Sequence, residues 1–248
     1  MSINSGAKLP TTDLVLSLDV FKSIDWNLNT GVWIDSSTRK NNALLVGLSS
    51  GLTLNNIDGY FNFPQGNSTA KVEVQNNDIS IGTEDFTVEA WVYPTSFSSE
   101  IQLFTFGTEN NGSLKIDTSG LIQFFSSTYS TASDISLWNA TLNQWNHIFL
   151  VRKDNTAYGY LNGNLIGTSP SFNNSFANDT IFIRNAADTG GVRVRTIRCW
   201  ERAILDNEVK LIYLYFKDRN YTPVPETGLT AVSLLGSVGT QVGDFFST

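Results

Sequence analysis

One cysteine and one histidine occur in 248 residues, and each scarcity removes a class of chemistry. Cys199 alone cannot close an internal disulfide, and together with His147 it is too little for the Cys and His sets of a zinc site. A histidine-activated nucleophile would have to be built on His147, yet QWNHIFLV surrounds it with strand-forming residues and offers no nucleophile at a recognisable spacing. His147 is expected to be a packed, hydrogen-bonded strand histidine, and Cys199 a small buried hydrophobe. Lys and Arg number 16 against 23 Asp and Glu, and no window gathers the cations into a run. The phosphate neutralisation that drives nucleic-acid binding is therefore missing. No stretch approaches the roughly 20 apolar residues of a membrane span. The N-terminal MSINSGAKLPTTD lacks the basic start, apolar run and cleavage site of a secretory signal, which predicts synthesis in a cytoplasm without export.

What the chain does have is alternation. From Leu14 to Ile197, short runs of period two are separated by clusters of Asn, Gly, Asp and Ser, the pattern of an antiparallel all-β sandwich. The runs include LVLSLD, GYFNF, AKVEV, FTVEAWVYP, IQLFTFG, SLKID, LIQFF, HIFLVRK, TAYGYLN, NLIGTS, TIFIRN and VRVRTIRCW. In YLNGNLIG, Asn162-Gly163 suits a type I′ hairpin turn, because both residues tolerate positive φ. KIDTSGLIQ predicts a second hairpin, turning at Thr118 to Gly120. One segment changes period: LDNEVKLIYLYFK spaces Leu205, Val209, Ile212, Tyr213 and Phe216 as one helical face, with acids at its start and Lys217 at its end. Residues 1–12 read as an N-terminal arm, 13–221 as one domain, and 222–248, rich in Gly, Ser and Thr, as a low-complexity tail whose FF could dock on a partner.

Six phrases, in order, carry a resemblance. LVLSLDV, VWIDSSTRKNNALLVG, GYFNFP, DFTVEAWVYP, NQWNHIFLVRKDNTAYGYLNGNLIGT and RCWERAILDNEVKLIY resemble the laminin G-like branch of the concanavalin A-like lectin and glucanase jelly rolls. The resemblance covers about Asp13 to Tyr221. It implies a jelly-roll sandwich of two antiparallel sheets with one short C-terminal helix, and leaves function open, since lectins, hydrolases, adhesion modules and scaffolds share this fold.

For hydrolysis, two carboxylates must flank one glycosidic bond. Glucanases on this fold carry a Glu-x-Asp-x-x-Glu cluster on one strand, which is absent here. Glu89 has Thr87 and Trp91 on its side of the strand, so a pair would need a distant acid such as Glu73. Glu89 is expected to be scaffold, and the protein not an enzyme. The resemblance also raises calcium, which takes several oxygen ligands. Asp19, Asp35, Asp134, Asp179 and Asp188 are candidates, but where relatives commonly carry an acidic pair before the final strand this chain has Arg193 and Arg195. No other cofactor is indicated.

Sugar recognition needs flat rings beside hydrogen-bonding side chains. Trp26 in DWNLNTG, Tyr129 and Trp138 in SSTYSTASDISLWNAT, and Phe172 and Phe176 in SFNNSFAND are the candidate carbohydrate-binding residues. The phrasing also resembles laminin G-like domains encoded by tailed phages, whose virion proteins fold in the host cytoplasm and meet surface glycans after lysis. That resemblance implies a non-enzymatic virion surface protein, a capsid decoration or a tail- or fibre-associated subunit. Its expected partners are host polysaccharide and other virion subunits through the C-terminal tail, with homo-oligomers open and no membrane insertion. A structural brace, a bacterial adhesin and a polysaccharide hydrolase are the alternatives.

Overall fold

Half-apolar strands bury their apolar faces only against a second layer. The computed structural model describes residues 9–20, 26–27, 31–74, 78–79, 81–107, 112–125, 135–170, 172, 175–176, 181–183 and 190–217. In chain order the elements begin β1 (Leu14–Asp19), β2 (Trp26–Asn27), β3 (Val32–Trp33), β4 (Ala43–Val46), β5 (Thr53–Asn55) and β6 (Tyr60–Phe63). They continue β7 (Lys71–Val74), β8 (Phe86–Pro94), β9 (Ile101–Phe106), β10 (Ser113–Ile116), β11 (Leu121–Phe125) and β12 (Ile135–Asn139). The last are β13 (Asn146–Lys153), β14 (Thr156–Leu161), β15 (Asn164–Ser169), β16 (Ile181–Ile183), β17 (Val192–Trp200) and α1 (Asp206–Lys217).

One sheet has the order β15-β14-β13-β8-β17-β6-β5, with β1 also on β17; the other runs β12-β11-β10-β9-β16-β7-β4-β3-β2. The strands pair antiparallel, as the alternation and hairpin turns predict. Strand β17 is the hinge of the first sheet. It lies along β8 on one side, while on the other Val192–Val194 pair with β6 and Thr196–Trp200 with β1.

The turns follow from residues that accept positive φ. Asn162 and Gly163 adopt φ of 52° and 74° between β14 and β15, and Asp154 and Asn155 adopt 48° and 58° between β13 and β14. Between β10 and β11, Asp117 Oδ1 accepts the amides of Ser119 and Leu121, and Gly120 sits at φ 85°.

Two apolar layers result. Val88, Ala90 and Val92 point between the sheets with Ile148, Leu150, Ile197 and Cys199. Burial pushes the Cys199 thiol well above its ordinary value, so it is an inert core residue. The alternate residues form a second layer under α1, where Trp91, Phe149, Tyr160 and Trp200 meet Val209, Ile212 and Phe216. The helix start is fixed by Glu208, whose Oε2 accepts the Leu205 amide at 2.7 Å while Arg202 clamps its carboxylate at 2.7 and 2.9 Å. Among the described residues no helix is long and apolar enough to cross a membrane.

One expectation needs adjustment. DISLWNAT, read as a loop, contains β12; its Ser136 and Asn139 pair with β11. The end of the predicted arm is docked: Trp200 Nε1 donates to the Pro10 carbonyl at 2.9 Å and Arg202 Nε to that of Thr12 at 3.1 Å. Residues 218–248, including the predicted tail, lie outside the described residues.

Candidate functional site

Glu89 projects from β8 away from the intersheet core, into the layer beneath α1. There it is fully buried. Arg198, its register partner on β17, donates from Nη1 to both carboxylate oxygens at 2.8 and 2.9 Å and from Nη2 to Asp19 Oδ2 at 2.7 Å. His147 Nε2 meets Glu89 Oε1 at 2.9 Å, and Trp91, Phe149 and Tyr213 pack around the imidazole. Burial alone would raise the Glu89 carboxyl, but Arg198 and the His147 hydrogen bond hold it below the usual carboxylate value. Burial lowers His147, so the ring is neutral and donates Nε2–H to the carboxylate. An inaccessible carboxylate held ionised by arginine cannot protonate a leaving group. Glu73 stands on β7 of the opposite sheet, 3.3 Å from Lys71, and forms no pair with Glu89.

Two calcium candidates are engaged internally. Asp35 is buried and accepts the amides of Ser17, Ser37 and Asn41 at 2.7–2.8 Å and the Ser37 hydroxyl at 2.5 Å. Asp19 is held by Arg198. Asp134, Asp179 and Asp188 lie outside the described residues.

Four of the five predicted sugar-binding residues fall on described segments. Trp26 lies on β2 and Trp138 on β12, at opposite edges of the second sheet, and Tyr129 is outside the described residues. Phe172 and Phe176 are corrected outright: they are 0% and 1% exposed. Their rings join Phe86, Phe106 and Phe124 in an aromatic cluster closing one end of the core, with the Arg152 guanidinium 4.7 Å above Phe86. The polar sequence around them disguised two inward rings.

An open cleft lies elsewhere, on the outer face of the first sheet where α1 begins. Its volume is about 530 Å³, and it is lined by Val151, Lys153, Tyr158, Tyr160, Ile204, Leu205 and the first two residues of α1, Asp206 and Asn207. Strand alternation puts Tyr158 and Tyr160 on one face, and the β13 residues opposite them follow from the hairpin at Asp154-Asn155. Val151, Tyr160 and Ile204 are buried and make an apolar floor, while Lys153, Asp206 and Asn207 are exposed at the rim. Tyr160 donates its hydroxyl to Asp206 Oδ1 at 2.5 Å, and burial together with that carboxylate keeps the phenol protonated. Lys153 has no ion-pair partner among the described residues. Apolar floor, polar rim and this volume suit a ligand of one or two sugar rings. The legible signal was the Tyr-Gly-Tyr spacing; what sequence reading missed is that the helix start would wall it in.

The architecture agrees with known proteins. A binding domain of botulinum neurotoxin DC, solved in complex with rat synaptotagmin II, superposes with a TM-score of 0.66 at 18% identity, covering 84% of this chain and 52% of that one. The binding domain of Paraclostridial Mosquitocidal Protein 1 gives 0.64 at 17% identity, over 84% and 53%. A botulinum neurotoxin DC binding domain in complex with SialylT gives 0.63 at 18%, over 82% and 52%. The chain thus spans about half the length of these structures, and at such identity the likeness is one of fold. No curated protein sequence matches it. The family described as the concanavalin A-like lectin/glucanases superfamily matches residues 65–210, including the Glu89 strand, the Asn-Gly hairpin and the start of α1. With more than half its length matched, and with the sandwich observed, the chain belongs to the concanavalin A-like lectin/glucanase superfamily.

Proposed function

We propose that the protein is a non-enzymatic recognition module that binds surface saccharide in the cleft between Tyr158 and the start of α1. The observation that carries this reading is the cleft itself, an apolar floor with a hydrogen-bonding rim and no second acid facing Asp206 among its lining residues. One carboxylate, already accepting the Tyr160 hydroxyl, does not supply the pair that glycoside hydrolysis uses. The similar structures named as binding domains, one with a protein receptor and one with SialylT, support recognition as the role of the fold. The setting we propose is the surface of a tailed-phage virion, as a capsid decoration or a tail- or fibre-associated subunit, synthesised in the host cytoplasm. Attachment to neighbouring subunits is assigned to the C-terminal tail.

A brace between virion subunits is the second reading, and one observation favours it. Leu211 and Leu214, 49% and 39% exposed, stand on the outward face of α1 beside Lys210 and Lys217, an apolar strip suited to a partner.

Titration of the purified full chain with a panel of bacterial surface oligosaccharides separates the two. Saturable binding weakened at least tenfold by Tyr158→Ala, with an unchanged melting temperature, is the expected result. No saturable binding to any member, together with self-association relieved by Leu211→Ser and Leu214→Ser, would overturn it in favour of the brace.

A further inference from the structure

Beyond the cleft, the outer face of the first sheet carries a second group of side chains with unused capacity. Tyr93 on β8, Arg193 on β17 and Tyr60 on β6 lie on neighbouring strands, and Trp145 stands just before β13. The Arg193 guanidinium carbon is 5.0 Å from the Tyr60 ring centre and 4.7 Å from that of Tyr93, so one cation is held between two rings. Trp145 closes the group, 6.1 Å from Tyr60 and 5.5 Å from Tyr93, each ring edge-on. The Arg195 guanidinium lies 4.0 Å over the Trp145 ring and donates to the carbonyls of Asp58 and Gly59. Tyr60, Tyr93, Trp145 and both arginines are half-buried, so the group is a platform and not a core.

The two arginines differ in what remains for a ligand. Arg195 spends donors on main chain. Arg193 has no hydrogen bond and no carboxylate partner among the described residues, and its buried Nε is without an acceptor. Asp58, in the turn before β6, accepts a hydrogen bond from Asn55 Nδ2 on its Oδ2 at 3.0 Å. In a chain of formal charge −7, an arginine fixed by stacking and without an anion among the described residues is available to an acidic ligand. Stacking orients a guanidinium while leaving its N–H fork free, which is pre-organisation for a bidentate carboxylate.

We propose that Tyr60, Tyr93, Trp145 and Arg193 form a second binding site, selective for a carboxylate-bearing saccharide whose acid group pairs with Arg193. The sugar's apolar C–H face packs on the aromatic group, and its carboxylate meets a stacked guanidinium that has no carboxylate partner among the described residues. An acidic peptide fits less well. Peptides that join sheets do so at free strand edges, whereas β17 at this point is paired on both sides, with β8 and with β6. The site is also separate from the cleft: Trp145, just before β13, and Val151 on it are six residues apart, a span of about 20 Å, with α1 packed over the layer between them. The inference rests on the saccharide-binding reading but not on the same surface.

The test is calorimetric titration of the full chain with trigalacturonic acid, its methyl ester, and a glutamate-rich peptide of similar charge. Expected are saturable binding of the acid, at least tenfold weaker binding of the uncharged ester, at least tenfold loss in Arg193→Gln and partial retention in Arg193→Lys. Lys153→Gln, at the cleft, should change affinity for the acid less than twofold. Melting temperatures within a few degrees of the parent confirm that the variants are folded. Equal binding of acid and ester, indifference to Arg193→Gln, tighter binding of the peptide, or loss with Lys153→Gln would each overturn the second site. If trigalacturonic acid fails to bind while a neutral oligosaccharide still binds through Tyr158, the second site falls and the recognition reading stands. If neither binds, both fall.

Discussion

Arg198 and Glu89 face each other across adjacent strands in register, with one guanidinium nitrogen 2.8 and 2.9 Å from the two carboxylate oxygens. The same guanidinium carries Asp19 on its other nitrogen, and the Phe216 ring lies 4.6 Å from its carbon. Two buried carboxylates thus share one cation under the helix. Breaking such a pair from one side leaves charge without compensation, which costs more than the intact pair contributes. Arg198→Met is therefore expected to lose about 3–5 kcal/mol. Urea unfolding reads this as a lower midpoint at unchanged slope, and a loss below about 1 kcal/mol would mean that water reaches the cluster.

Acid should unfold the protein in two stages. His147 is held below its ordinary value of 6.5, so as pH falls past 6.5 the unfolded chain takes up a proton that the folded chain refuses, and stability declines. Glu89 is held below its ordinary 4.5, so its contribution is complete above that value and is lost as pH falls through the lower folded value. Melting temperature followed from pH 8 to pH 3 should fall first below 6.5 and again below 4.5. His147→Gln should remove the first decline and keep the second; an unaltered profile would refute the assignment.

Asp35 organises the turn that seats β1, and its removal should be felt well beyond one hydrogen bond. Asp35→Ala strands the buried amides of Ser17, Ser37 and Asn41. At about 1–3 kcal/mol for each orphaned donor, partly offset by water entry, a total loss near 3 kcal/mol or more is expected. Thermal unfolding of Asp35→Ala beside Asp35→Asn checks this, with the amide recovering part of the loss.

Gly163→Ala should destabilise through two separate faults. Its φ of +74° is unfavourable for alanine, and the added Cβ would lie 2.8 Å from Tyr213 Cδ1. A loss of about 1–2 kcal/mol from the backbone alone is expected. Gly163→Ala combined with Tyr213→Leu should relieve the contact and leave the backbone part, which a comparison of melting temperatures would show.

Local structure was legible wherever it depended on neighbours in sequence. Val88, Ala90 and Val92 announce a buried face by period two, Asn162-Gly163 announces its turn, and Val209, Ile212 and Phe216 announce a helix with one apolar side. Glu89 could be read as scaffold from the lack of a second acid on its strand. Its partner Arg198 could not be read, because the two are 109 residues apart and topology alone joins them. Phe172 and Phe176 misled for a related reason: the surrounding Asn and Ser residues indicate a surface loop, whereas both rings turn inward beneath it. Likewise Tyr158 and Tyr160 are visibly on one face, but the cleft exists only because α1 returns to that face. Arg193 and Arg195 were noticed as a departure from an acidic pair, and the rings that flank them come from three other elements.

The reach of the buried ion cluster also sets a clock. Asp19 and Arg198 are 179 residues apart, so at roughly 5–20 residues per second the first waits on the order of ten to forty seconds of synthesis for its counter-ion. Until then β1 has neither its pairing strand β17 nor compensation for its acid. The nascent chain must therefore keep an unsatisfied edge in solution until β17 emerges, and the sheet closes late, across a long loop of chain.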